Sequence, residues 1–155
     1  MGLQWNDERF ISELVKASGA GGVKVFLQIR DWALDLSLSP WYGTGQKEGN
    51  WYPGSPSMWK KCHLFSVLTT GQLEFWFGEL RGVPPLDDRN KRVEILRRLN
   101  RIPGITIPGE GADGYPRIPL ERLAQTRTLE QFLAVFDWVI DEIRRYEGTA
   151  AQSER

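Results

Sequence analysis

CHLFSVLTTGQLEFWFGELR, residues 62–81, is the stretch whose reading decides the fold. Leu64, Phe65, Val67 and Leu68 run into Thr70-Gly71, and Leu73, Phe75, Trp76 and Phe77 run out of it. Aromatic and β-branched residues on both sides of a glycine-bearing turn predict a strand, a turn and a second strand. With Thr70 and Gly71 as a two-residue loop, 68 faces 73, 66 faces 75 and 64 faces 77. One face then carries Leu64, Ser66, Leu68, Leu73, Phe75 and Phe77 and reads as the core side. The other carries His63, Phe65, Val67, Thr69, Gln72, Glu74 and Trp76 and is half polar. A longer loop would slip the register and exchange faces.

Upstream, Trp41-Tyr42 and Trp51-Tyr52 read as two short strands joined by the polar, glycine-bearing 44–50. A meander from there into the hairpin predicts the fold class: α+β, with a mainly antiparallel sheet of about four strands over residues 41–77, packed by N-terminal and C-terminal helices. Asn6 suits a helix N-cap, with Asp7 and Glu8 in the first turn. Phe10, Ile11, Leu14 and Val15 give the apolar stripe, and Gly19, Gly21 and Gly22 are expected to stop it. Residues 23–36 alternate briefly, but Val25, Ile29, Trp32, Ala33 and Leu36 favour a second helix. Asp87 or Asp88 caps a helix to about Asn100, with Arg92 inside its apolar arc and Asp88 as the expected partner. Ile105-Thr106-Ile107 suggests an edge strand. Pro119 opens a short helix, and Thr128 with Gln131 forms a capping box for a long one bearing Leu129, Phe132, Phe136, Val139, Ile140 and Ile143. From about 148 the chain reads as a frayed tail.

At 155 residues, 41% apolar and 26% charged, the chain has the size and composition of a single globular domain. Twenty basic and twenty acidic residues balance, which argues against a partner held by bulk charge, such as nucleic acid in general or an anionic membrane. No secretory start or long apolar run is present, so the expectation is a soluble, cytoplasmic protein without a membrane partner. One cysteine leaves no internal disulfide and no multi-cysteine metal site.

Catalytic patterns are thin. Cys62 and His63 are adjacent in a strand and point to opposite faces, so they cannot form a dyad with each other. Glu74, Glu79, Asp87 and Asp88 invite a metal-dependent nuclease, but Glu79-Leu80-Arg81 puts arginine where a compact amine is wanted, and 74 and 79 differ in parity. Residues 43–49 resemble a phosphate loop only superficially, since Lys47 is followed by Glu48 rather than Ser or Thr. No catalytic residue, metal ligand or cofactor is assigned.

Seven tryptophans in a chain this short are the best functional lead. Trp41, Tyr42, Trp51, Tyr52, Trp59 and Trp76 form the candidate set for an unknown protein partner or small ligand, since such rings supply rigid amphipathic contact area. The competing reading has them filling the sheet's second face. The alternative function is a nucleic-acid-binding protein, or a nuclease-like hydrolase, using Lys91, Arg97, Arg98 and Arg101 on the helix at 88–101. A binding domain that performs no catalysis is the favoured expectation.

Overall fold

The computed structural model describes residues 4–58 and 60–153, with side chains as far as 150. In chain order the elements are α1 (Asp7–Asp35), β1 (Trp41–Tyr42), β2 (Asn50–Tyr52), β3 (Phe65–Leu68), β4 (Gln72–Phe75), α2 (Phe77–Leu80), α3 (Arg89–Asn100), β5 (Arg117–Pro119) and α4 (Thr126–Ser153). The strands form one antiparallel sheet in the order β1-β2-β3-β4-β5. The α+β class is as expected, with a fifth strand added at the β4 edge. Among the described residues no helix is long and apolar enough to cross a membrane.

Asn6 caps α1, its side chain accepting from the Arg9 N–H, with Asp7 and Glu8 at the positive end of the helix dipole. Gly19 takes φ 69°, ψ −173°, so the axis breaks there. The other glycines do not stop the chain, and both expected helices are halves of one kinked element. Their buried faces, Phe10 and Leu14 before the kink and Val25, Phe26, Ile29, Trp32 and Ala33 after it, turn to the sheet.

The central hairpin forms, but its loop holds three residues. Phe65 lies opposite Phe75, Ser66 opposite Glu74 and Val67 opposite Leu73. Gly71 adopts φ 86° and its N–H donates to the Leu68 carbonyl at 3.0 Å. A three-residue loop needs one left-handed position, and glycine fills it without strain. The predicted two-residue register is corrected by one position, which turns the first strand over. Phe65 and Val67 join Leu73 and Phe75 on the helix side, while Ser66 and Leu68 face outward with Gln72, Glu74 and Trp76. The second strand also ends earlier than expected, because Phe77 starts the short α2; Glu79 is therefore helical, not a strand residue.

The helix side is the core. Phe65 meets Phe132 at 5.5 Å and Phe136 at 4.9 Å on α4, and stacks with Trp32 of α1 at 6.1 Å. Phe75 stacks parallel to Phe77 and to Phe136. Trp32 Nε1 donates to Asp137 Oδ1 at 2.7 Å, joining α1 to α4. The buried residues form one continuous set that reaches through α3 (Ile95, Leu96, Leu99).

Three further expectations are corrected. Ile105-Thr106-Ile107 is not a strand: the Asn100 side chain donates to the Ile107 carbonyl and accepts its N–H, supplying the bonds a neighbouring strand would have made. The edge strand is Arg117–Pro119 instead. Arg92 pairs with Asp113 rather than Asp88, which is occupied in accepting from the Asn90 N–H as the α3 cap. Helix α4 begins at Thr126, ahead of the supposed capping box, and continues to Ser153, so the described part of the tail is helical.

Candidate functional site

Alternation within each Trp-Tyr pair sends one ring to each side of the sheet. Tyr42 pairs across strands with Trp51, and both turn toward α1: Trp51 is 1% exposed with its ring 5.4 Å from Phe26, and Tyr42 lies 5.3 Å from Phe10 and donates its hydroxyl to Asp7. Trp41 pairs with Tyr52 on the opposite face, stacked at 4.7 Å. The candidate set is thus divided. Trp51 and Tyr42 are packing residues, whereas Trp41, Tyr52 and Trp76 share the outer face. Trp59 lies outside the described residues.

Around those three the outer face gathers His63, which the sequence reading had already put on the face of Trp76, and Tyr115, which it had not. His63 sits 4.4 Å from Tyr52, 5.2 Å from Trp41 and 5.4 Å from Trp76, ring centre to ring centre. Tyr115 stands edge-on to Trp76 at 5.5 Å, resting on the bare backbone of Gly78, where a Cβ would come within 2.6 Å of its ring. Gly78 also donates its N–H to the Gly114 carbonyl at 2.8 Å, which fixes the loop that carries Tyr115. The result is an unbroken aromatic surface, with Tyr52 and His63 as a buried floor and Trp41, Trp76 and Tyr115 partly or largely open to solvent. Trp76 is oriented by its indole N–H, which donates to Ser66 Oγ at 3.2 Å.

Charge surrounds the rings. Lys61 Nζ lies 4.5 Å from the centre of the Trp41 ring. Arg117 of β5 reaches Glu74 at 2.7 Å and Glu48 at 3.5 Å, closing the far end of the face. Among the described residues two buried side-chain atoms have no hydrogen-bond partner: His63 Nδ1 and, in α2, Glu79 Oε2. Unpaired buried polar atoms are uncommon in folded proteins, because each carries an uncompensated desolvation cost. Burial also pushes the Glu79 carboxyl up, against the pull of Lys61 and Lys60. The Tyr52 hydroxyl is raised by burial and, more weakly, by Glu74, Glu79 and Glu48.

His63 is the chain's one histidine, and burial, then the Lys61 charge, holds its pKa below the ordinary 6.5. A histidine depressed in this way binds protons less readily folded than unfolded. Its contribution to stability is whole above the unfolded value and is lost as pH falls through the folded one. The thermal midpoint is therefore expected to drop below about pH 6.5, and His63→Phe, which keeps a ring in place, to lose that part of the drop. Glu79 acts with the opposite sign, so the test is the difference between the two proteins. Equal slopes would refute it.

Cys62 is fully buried on the core side, away from the His63 cluster, and burial pushes its thiol up; its Sγ is 3.6 Å from Ser55 Oγ. The basic helix is largely engaged. Lys91 pairs with Glu142 at 3.3 Å, Arg97 and Arg98 both bond to Glu94, and Arg98 also lies 3.7 Å over Trp138. Arg101 is exposed. Among the described residues no three His, Cys, Asp or Glu side chains assemble into a group able to hold a metal. No protein-family model, curated protein or solved structure matches the chain.

Proposed function

We propose that the chain is a binding domain without catalysis of its own, which captures its partner on the outer face of the sheet through Trp41, Trp76 and Tyr115 over the Tyr52–His63 floor. The observation that carries this reading is the pairing of half-open tryptophans with the buried His63 Nδ1 between them, which has no hydrogen-bond partner among the described residues. Rings left in water give up hydrophobic stabilisation, and orphaned polar atoms add to that cost, so this is where a partner has most to contribute. The buried, unpaired Cys62 is in keeping with a reducing, cytoplasmic setting. The basic helix offers less to a phosphate backbone, since three of its four candidate cations are already held by acids.

Indole N–H resonances provide the test. A fragment library screened by NMR against the ¹⁵N-labelled protein is expected to shift Trp41 and Trp76 together, while Trp51 stays unmoved. A rival location exists: a cleft of about 470 Å³ lined by Ser37, Ser55, Pro56, Arg144 and Glu147. Perturbations gathered there, or spread without preference, would overturn the assignment.

A further inference from the structure

The outer face already holds one cation of the chain against an aromatic ring. Trp41 has Tyr52 stacked on it at 4.7 Å, and the chain's own Lys61 ammonium lies 4.5 Å from its ring centre. An aromatic face attracts a cation through its quadrupole, and more strongly when the cation is weakly hydrated. Close by is a carboxylate with capacity to spare. Glu74 and Glu48 are taken up by Arg117, but Glu79 makes no ion pair among the described residues, and its Oε2 is buried without a donor. Lys61 is the cation that acts most strongly on Glu79, and it also sits over Trp41. Glu79 itself lies in the turn that follows Trp76, its N–H donating to the Trp76 carbonyl at 3.1 Å, and Lys61 makes no ion pair with it among the described residues.

We infer that this face receives a guanidinium group, an arginine presented by a partner polypeptide, which displaces Lys61, stacks on Trp41 and donates to Glu79. A quaternary ammonium would gain the ring but leave Oε2 without a donor, whereas a guanidinium carries a flat face and a fork of N–H groups together. The rings touch one another at 4.4–5.5 Å and form a surface on which a ligand lies. Such a surface suits a side chain offered by another chain better than a free small molecule, which needs enclosure. This inference rests on the binding-face reading above.

The probes are N-acetyl-arginine methylamide, its lysine counterpart, choline, adenosine monophosphate, and an arginine-centred peptide of about twelve residues, long enough to lie along the face. The Trp41 and Trp76 indole resonances report binding. The arginine amide is expected to give a saturable shift, with the lysine amide and choline weaker by about tenfold. The peptide is expected to bind at least about tenfold more tightly than the amide. Glu79→Gln should weaken the arginine amide about tenfold. Lys61→Ala should strengthen it several-fold by vacating the ring. Both variants change partly exposed side chains, and amide dispersion in the same spectra confirms that they fold.

Equal binding of arginine, lysine and choline, or weaker binding by Lys61→Ala, would overturn the guanidinium assignment. Amide and peptide of equal affinity would overturn the polypeptide source. If adenosine monophosphate shifts Trp41 and Trp76 while arginine does not, the guanidinium inference fails and the binding face stands. If no probe or library fragment reaches these rings, both fail.

Discussion

Arg92→Met is expected to destabilise the protein by about 3–4 kcal/mol, because it strips the donors from a buried arginine while keeping most of its stem. Arg92 is 3% exposed. Its Nε donates to the Ala112 carbonyl at 2.8 Å, Nη1 to the carbonyls of Leu86 and Asp87 at 2.8 and 2.9 Å, and Nη2 to Asp113 at 3.0 Å. One side chain thus joins the approach to α3 to the loop just before Tyr115. Asp113 is held below the usual carboxylate range chiefly by its Arg92 hydrogen bond and then by Arg89. In Arg92→Met the buried carbonyls of Ala112 and Leu86 and the part-buried carbonyl of Asp87 lose charge-assisted donors. The control is Arg89→Met, which removes a largely exposed arm of the same ion pair and is expected to cost less than about 1 kcal/mol. Urea midpoints at unchanged slope give both values. A loss under about 1 kcal/mol for Arg92→Met would show that the neighbouring carbonyls find other donors.

Trp51→Ala is expected to cost about 3–5 kcal/mol, and Trp41→Ala about 1 kcal/mol, although the two residues open identical dipeptides in neighbouring strands. Trp51 is walled in by Phe26 above and by Tyr42 and Val67 across the strands, so its truncation leaves a cavity in the core. Trp41 loses a stack on Tyr52 and a contact with Lys61, and water enters where the ring was. Thermal or urea unfolding measures the contrast. Comparable losses would mean that the outer face is as structural as the inner one. Only Trp41→Ala leaves a folded protein in which binding can be read.

Much of the fold was legible because it follows from periodicity and caps. Asn6, the stripe through Phe10 and Leu14, and the apolar run from Leu129 to Ile143 each specify a helix wherever they occur. The hairpin was legible as an element but not in its register, because Thr69-Thr70-Gly71 allows loops of two or three residues and only the backbone at Gly71 decides. Strand β5 was hidden by length, three residues between Pro116 and Leu120 with no alternation to see. The apparent strand at Ile105–Ile107 misled because its apolar residues are buried in a loop whose polar backbone is met by Asn100, a contact no pattern encodes. As for the site, the Trp-Tyr pairs announced aromatic surface, and alternation within a strand implied that each pair would divide. His63 was legible on the face of Trp76, but the approach of Tyr52 and Trp41 to it was not, and nothing in Gly114-Tyr115-Pro116 signals that its ring will lie against Trp76.

The three-residue corner at Gly71 restricts how this chain can change in length. Strand β3 is held in place by β2, so one residue gained or lost between Leu68 and Gln72 would rotate β4 by half a turn. Phe75 would then face water, and Glu74 would point at Phe132 and Phe136. Relatives of this protein should therefore vary at that corner in steps of two residues, and a lone insertion there should surface only alongside a compensating bulge in β4.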